Sequence, residues 1–195
     1  MTLTHTVGRT VLVVAALNLG YFGVEFAAAL RVGSVSLLAD SVDFLEDAAV
    51  NILIFLAIGW SLQRRAKLGM GLAALMMVPA AALIWTLLQK LSGATPPDPF
   101  TLSAVGLGAL AINGFCAFLL ARHKTQSSSL IRAAYLSARN DVLANIAIIA
   151  AGLITYVTLS IWPDIVVGIA IAALNLDAAK EVWETARKES RTPVV

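Results

Sequence analysis

Four acids stand within eight positions of an otherwise apolar stretch: Asp40, Asp43, Glu46 and Asp47. At 100° per residue on a helix, Asp40 and Asp47 point within about 20° of each other and Asp43 about 60° to one side, so three carboxylates share a face with Glu46 at its edge. A second polar set, Ser137, Asp141 and Asn145, follows i, i+4, i+8 spacing in another apolar stretch, flanked by Asn140. A third pairs Asn18 with Glu25 seven residues later on nearly the same face. Carboxylates gathered in a low dielectric cannot all ionise unless a cation or protons join them. A divalent metal needs deprotonated ligands and so displaces protons, which makes such a cluster a cation-for-proton exchanger by its own electrostatics. A single cysteine, Cys116, rules out a cysteine-based metal cage, so any metal site must use oxygen or nitrogen; His5 and His123, at the terminus and in a loop, read as solvated rather than ligating.

The elements that hold these residues are set by the solvent. Of 195 residues 59% are apolar and 13% charged, and mean hydropathy is +0.84; a soluble domain carries about a quarter charged residues. Apolar runs cover about 9 to 31, 35 to 60, 68 to 90, 101 to 121, 133 to 159 and 164 to 184, separated by turn signals such as Thr95-Pro96-Pro97-Asp98-Pro99. The expectation is an all-α polytopic membrane protein of six transmembrane helices, with a domain over 1–188 and a short cytoplasmic tail over 189–195. The first run continues past the length of a signal peptide's apolar core and reads as a span. In a six-span arrangement Arg9, Arg64, Arg65, Lys67, Arg122, Lys124, Lys180, Arg187, Lys188 and Arg191 fall on one side and only Arg31 and Lys90 on the other, ten against two. That bias makes both termini cytoplasmic. Because the basic residues flank the membrane rather than gather on one face, nucleic acid is excluded as a partner.

The acids are costly where they stand. An Asp at the centre of a spanning helix costs about 2.5 to 3.5 kcal/mol on insertion scales. With a helix starting near Val35, Asp43 and Asp47 lie roughly 12 and 18 Å below the outer boundary, close to mid-membrane. Other polar residues have plainer readings. Asn51, Asn113 and Asn175 read as hydrogen-bonding groups between helices, and Asn18 fits either role. Arg139, about 200° from Ser137 and Asp141, faces away from the stripe and snorkels to the cytoplasmic side or pairs elsewhere. Asp164, just after Pro163, suits the first turn of its own helix, where the dipole favours negative charge. Pro79 marks a kink or a gating hinge, and Asp177 to Lys188 a solvated helical extension.

The stretch Ser34-Val35-Ser36-Leu37-Leu38-Ala39-Asp40-Ser41-Val42-Asp43-Phe44-Leu45-Glu46-Asp47 resembles the second-helix signature of the cation diffusion facilitator family, in which S-x-S-L-L-A-D precedes a metal-binding [HD]-x-x-x-D pair. Asp43 and Asp47 match that pair. Leu130 to Ile149 resembles the family's fifth helix, whose H-x-x-x-D or D-x-x-x-D pair falls on Ser137 and Asp141. Asn18, Phe22 and Glu25 resemble the first helix, and Trp162-Pro163-Asp164 the opening of the sixth. The resemblance implies a homodimeric six-helix exporter that moves divalent cations such as zinc, cobalt, iron or manganese out of the cytoplasm in exchange for protons. Three departures are visible. Ser137 replaces the usual imidazole or carboxylate and tilts the ligand set toward harder metals such as manganese. Arg64, Arg65 and Lys67 stand where the family has a histidine-bearing stretch, and the metal-sensing domain that follows the sixth helix in the family is absent from this sequence.

These readings converge on a metal/proton antiporter of the cytoplasmic membrane rather than an enzyme. Asp43, Asp47 and Asp141 serve as carboxylate ligands, Ser137 and Asn140 as supplementary oxygen donors, and Asp40, Asn18 and Glu25 as groups that support the ligands or couple to protons. No resident cofactor is expected; the metal is cargo, and the partners are the divalent cation, protons, lipid and a second copy of the chain. Two rivals remain. The D-x-x-D-x-x-x-D spacing of Asp40, Asp43 and Asp47 matches the way intramembrane prenyltransferases hold magnesium and a diphosphate, although only Asp141 beside Arg139 stands in for a second motif. A metal-binding subunit or sensor that does not transport is the other.

Overall fold

A computed structural model describes residues 2–56, 62–93, 95–123 and 129–174. These form six helices: α1 (Thr2–Val32), α2 (Val35–Leu56), α3 (Leu62–Leu91), α4 (Pro99–Ala121), α5 (Ser129–Thr158) and α6 (Trp162–Leu174). No strand occurs among the described residues. Lys124, Asn175 and the tail with its expected boundary at 188/189 lie outside them, as does the His5 side chain.

Short connections with specific chemistry reverse the chain. Gly33 takes φ +62, and Ser34 N–H donates to the Ala29 carbonyl at 3.0 Å, the six-to-one bond of a glycine-terminated helix end. One residue further on α2 begins. Between α3 and α4, the Asp98 carboxylate accepts from Thr101 N–H at 2.7 Å and from its hydroxyl at 2.6 Å. These bonds hold the carboxyl below its usual range, and Pro99 opens the helix with its φ already set. Between α5 and α6 the turn is made by Leu159, a non-glycine residue at φ 53. Helix α3 runs on through Pro79.

Contacts define a direction. Lys90 at the end of α3 and Asp164 at the start of α6 meet Ser34 and Ser36 at the start of α2. At the opposite end Thr10 of α1 lies 3.3 Å from His123, just past α4. Successive helices therefore alternate in direction. Helix α2 sits centrally, packed on α1, α3, α4 and α5, and from Val35 to Ser41 every residue is buried.

The burial pattern is inverted relative to a soluble bundle. Asn18, Glu25, Asp40, Asp43, Asp47, Asn113, Asn145 and Asp164 are inside, while Trp85, Phe100, Leu107, Leu143, Tyr156 and Val157 are exposed. Apolar side chains outward and polar ones inward is the arrangement lipid selects. Among the described residues three helical segments are long and apolar enough to cross a membrane: Val7–Val32, Pro99–Ala121 and Ala134–Thr158. Helix α2 fails that criterion through its own acids, although its 22 residues extend about 33 Å. Shorter apolar segments are Ala81–Leu91 and Trp162–Leu174.

Candidate functional site

The acidic face of α2 meets the polar stripe of α5 in two rungs. In the first, Ser137 Oγ donates to Asp47 Oδ1 at 3.0 Å, and the Asp141 carboxyl, one turn along α5, lies close enough to that of Asp47 to interact with it. In the second, Asn145 Nδ2 donates to Asp40 Oδ2 at 2.6 Å while its Oδ1 accepts from Asn113 Nδ2 of α4 at 3.0 Å. Rising numbers on α2 pair with falling numbers on α5, so the helices run antiparallel. Asp40 and Asp47 are two turns apart, and Asn145 and Ser137 slightly more, so both rungs form at once.

Helix α1 closes the other side. Glu25 is fully buried and its carboxyl contacts that of Asp40. Tyr21, one turn earlier, donates to the Val105 carbonyl of α4 at 2.6 Å, and its ring packs on Phe44 at 5.0 Å, tying α1, α2 and α4 together. Asn18 is fully buried, with Nδ2 4.0 Å from Cys116 Sγ and Oδ1 without a partner.

The structure gathers Asp40, Asp43, Asp47, Asn18 and Glu25 in the interior, with Asp141 and Ser137 half-buried at its edge. It does not gather Asn140, which is exposed on α5, as is Arg139. The reason is the 100° step: Asn140 precedes Asp141 by one residue and is carried out of the stripe. Among the described residues no three His, Cys, Asp or Glu side chains converge into a ready cation cage; the acids associate in pairs, Asp47 with Asp141 and Glu25 with Asp40.

One cluster was undervalued by the sequence. Asp164 does more than begin its own helix: its carboxylate accepts from Val35 N–H at 2.9 Å, Ser36 N–H at 3.1 Å, Ser34 Oγ at 2.6 Å and Ser36 Oγ at 2.7 Å, and it pairs with Lys90 Nζ at 2.6 Å. Ser34 Oγ takes the next amide, Leu37 N–H, at 3.1 Å. The first three orphan donors of α2 are thus satisfied by side chains, which explains the S-x-S pattern and orients the helix that carries the acids. Lys90 is a buried ion-pair member, 2% exposed, rather than a loop cation. The available signal was an isolated lysine and an isolated aspartate at the same end of the bundle.

Asn113 does bridge α4 to α5. Asn51 Nδ2 instead bonds its own helix at the Asp47 carbonyl, 2.8 Å away.

With this geometry in view, comparison with known proteins is specific. The family described as "Cation efflux transmembrane domain" matches residues 11–189. The chain is 35% identical over 141 residues to the cation-efflux pump FieF of Salmonella typhi, covering 64% of this chain and 46% of the pump. It is 31% identical over 167 residues to that of Salmonella arizonae, covering 77% and 55%. The chain therefore spans about half the length of these curated relatives.

Proposed function

The chain belongs to the cation efflux family, and on that premise we propose that it carries divalent metal cations out of the cytoplasm across the cytoplasmic membrane in exchange for protons. The carrying observation is the contact of Asp47 on α2 with Ser137 and Asp141 on α5, inside a molecule whose outer surface is apolar. Asp43, Asp47 and Asp141 are the carboxylate ligands in this reading, with the Ser137 hydroxyl as a neutral fourth oxygen; Asn140 is left out because it faces outward. Asp43 precedes Asp47 by one turn of the same helix, so the two neighbour each other on α2, and rocking of α2 against α5 is the motion alternating access needs.

The family membership leaves the intramembrane prenyltransferase reading without support. Six spans with cytoplasmic termini, a domain over 1–188 and a homodimer complete the proposal. The alternation of helix direction and the charge bias support the topology, and the relatives' printed name supports cation export. The test is uptake of zinc, manganese, iron and cobalt into proteoliposomes under an imposed pH gradient. At least one metal accumulates, and Asp43→Ala and Asp141→Ala each abolish the accumulation. Normal transport by both variants overturns the site, and metal binding without flux favours a non-transporting subunit.

A further inference from the structure

Two fully buried carboxyls face each other between α1 and α2. Glu25 and Asp40 are each 0% exposed, and their carboxyls lie close enough across α1 and α2 to interact. Yet both Oε atoms of Glu25 and Oδ1 of Asp40 meet no donor. The remaining oxygen, Asp40 Oδ2, is satisfied by Asn145. Two ionised carboxylates in contact, both stripped of water, repel one another strongly; one proton turns an acceptor into a donor and satisfies both at once. Among the described residues, the groups facing the pair supply no cation. They are Tyr21 on α1, Asp43 and Asp47 on α2 and Asp141 on α5, while α4 contributes Asn113 through Asn145. The Tyr21 hydroxyl is committed to Val105, and Lys90, the buried base among the described residues, is committed to Asp164.

We propose that Glu25 and Asp40 hold one exchangeable proton between them and form the seat of the coupling proton, separate from the oxygens that take the metal. Asp40 stands two turns from Asp47 along α2, about 10 Å, so the proton and the metal occupy different levels of one channel of negative charge. A divalent cation arriving at Asp47 and Asp141 makes ionisation of the Glu25–Asp40 pair favourable. The proton then leaves to solvent and two carboxylates remain to offset the metal's charge; a proton taken from the opposite side restores the pair and weakens the hold on the metal. Asn145 connects the levels mechanically. It lies on the same stripe as Ser137 and Asp141 and donates to Asp40, so a displacement of α5 alters the bond that polarises the pair.

This inference rests on the exchange proposed above, and two measurements separate their fates. Infrared difference spectra of the metal-free full chain in lipid, recorded between acid and alkaline pH, carry the carbonyl band of a buried carboxylic acid. Glu25→Gln removes that band, Asp40→Asn shifts it and Asp43→Asn leaves it in place. A band unchanged in both Glu25→Gln and Asp40→Asn overturns the proposal. In proteoliposomes, the ratio of zinc uptake with and without a pH gradient falls about ten-fold toward unity in Glu25→Gln; a ratio equal to that of the unsubstituted chain also overturns it. If the unsubstituted chain moves no metal while the infrared band responds as described, the exchange reading fails and the proton seat stands.

Discussion

Removing the carboxylate of Asp164 strips five donors of their acceptor at once: two amides, two hydroxyls and the Lys90 ammonium. Because the lysine is 2% exposed, its charge is left uncompensated in the interior, so Asp164→Ala costs about 3 to 5 kcal/mol. Lys90→Met leaves the carboxylate its four other donors and costs less, about 1 to 3 kcal/mol. Thermal unfolding in detergent measures the order; equal losses would mean that the ion pair alone, and not the capping of α2, matters. The site residues show a similar division of labour. Ser137 holds Asp47 by a neutral hydrogen bond where an imidazole would compete for metal. Under the proposed function, Ser137→His raises the ratio of zinc to manganese uptake rates.

At the level of elements, the acidic helix is held close on the α6 side. A Cβ on Gly168 would stand 2.7 Å from the Val35 backbone carbon and 2.8 Å from Ser36 N. Gly168→Ala must therefore part α6 from the start of α2 and lowers stability by about 1 to 3 kcal/mol. Gly114→Ala on α4, with nothing within 4 Å of the added atom, is neutral or stabilising by up to about 1 kcal/mol. Melting temperatures of the two variants, side by side, test whether close helix approach sets the position of the stripe. Small-residue contact also joins α4 to α5, where a Cβ on Gly152 would run into Ser103. Glycine thus sets the close approach at both the α2–α6 and the α4–α5 contacts.

For the whole molecule, the inverted burial pattern and the alternating helix directions give a topology that can be checked without transport. Thr95, between α3 and α4, and Lys67, near the start of α3, are both exposed. In a chain carrying Cys116→Ser, a membrane-impermeant thiol reagent applied from outside labels Thr95→Cys and not Lys67→Cys, which reacts only after permeabilisation. Labelling of both from outside would refute the proposed orientation.

The residues that reach this depth were legible from spacing because a helix repeats its faces on a fixed angle: Asp40 with Asp47, Ser137 with Asp141 and Asn145, Asn18 with Glu25. Composition dictated an apolar solvent, and the motif around Asp43 and Asp47 indicated the family. Spacing does not say which stripe faces which, or at what height. Packing decided that Asn145 pairs with Asp40 and Ser137 with Asp47, that Asn140 turns outward, and that Glu25 meets Asp40. It also brought Lys90, Asp164 and the two serines together across 130 positions of chain. One helix's period is a local property of the backbone, carried by every residue in it; the register between helices arises only when side chains from distant segments compete for the same buried donors and acceptors.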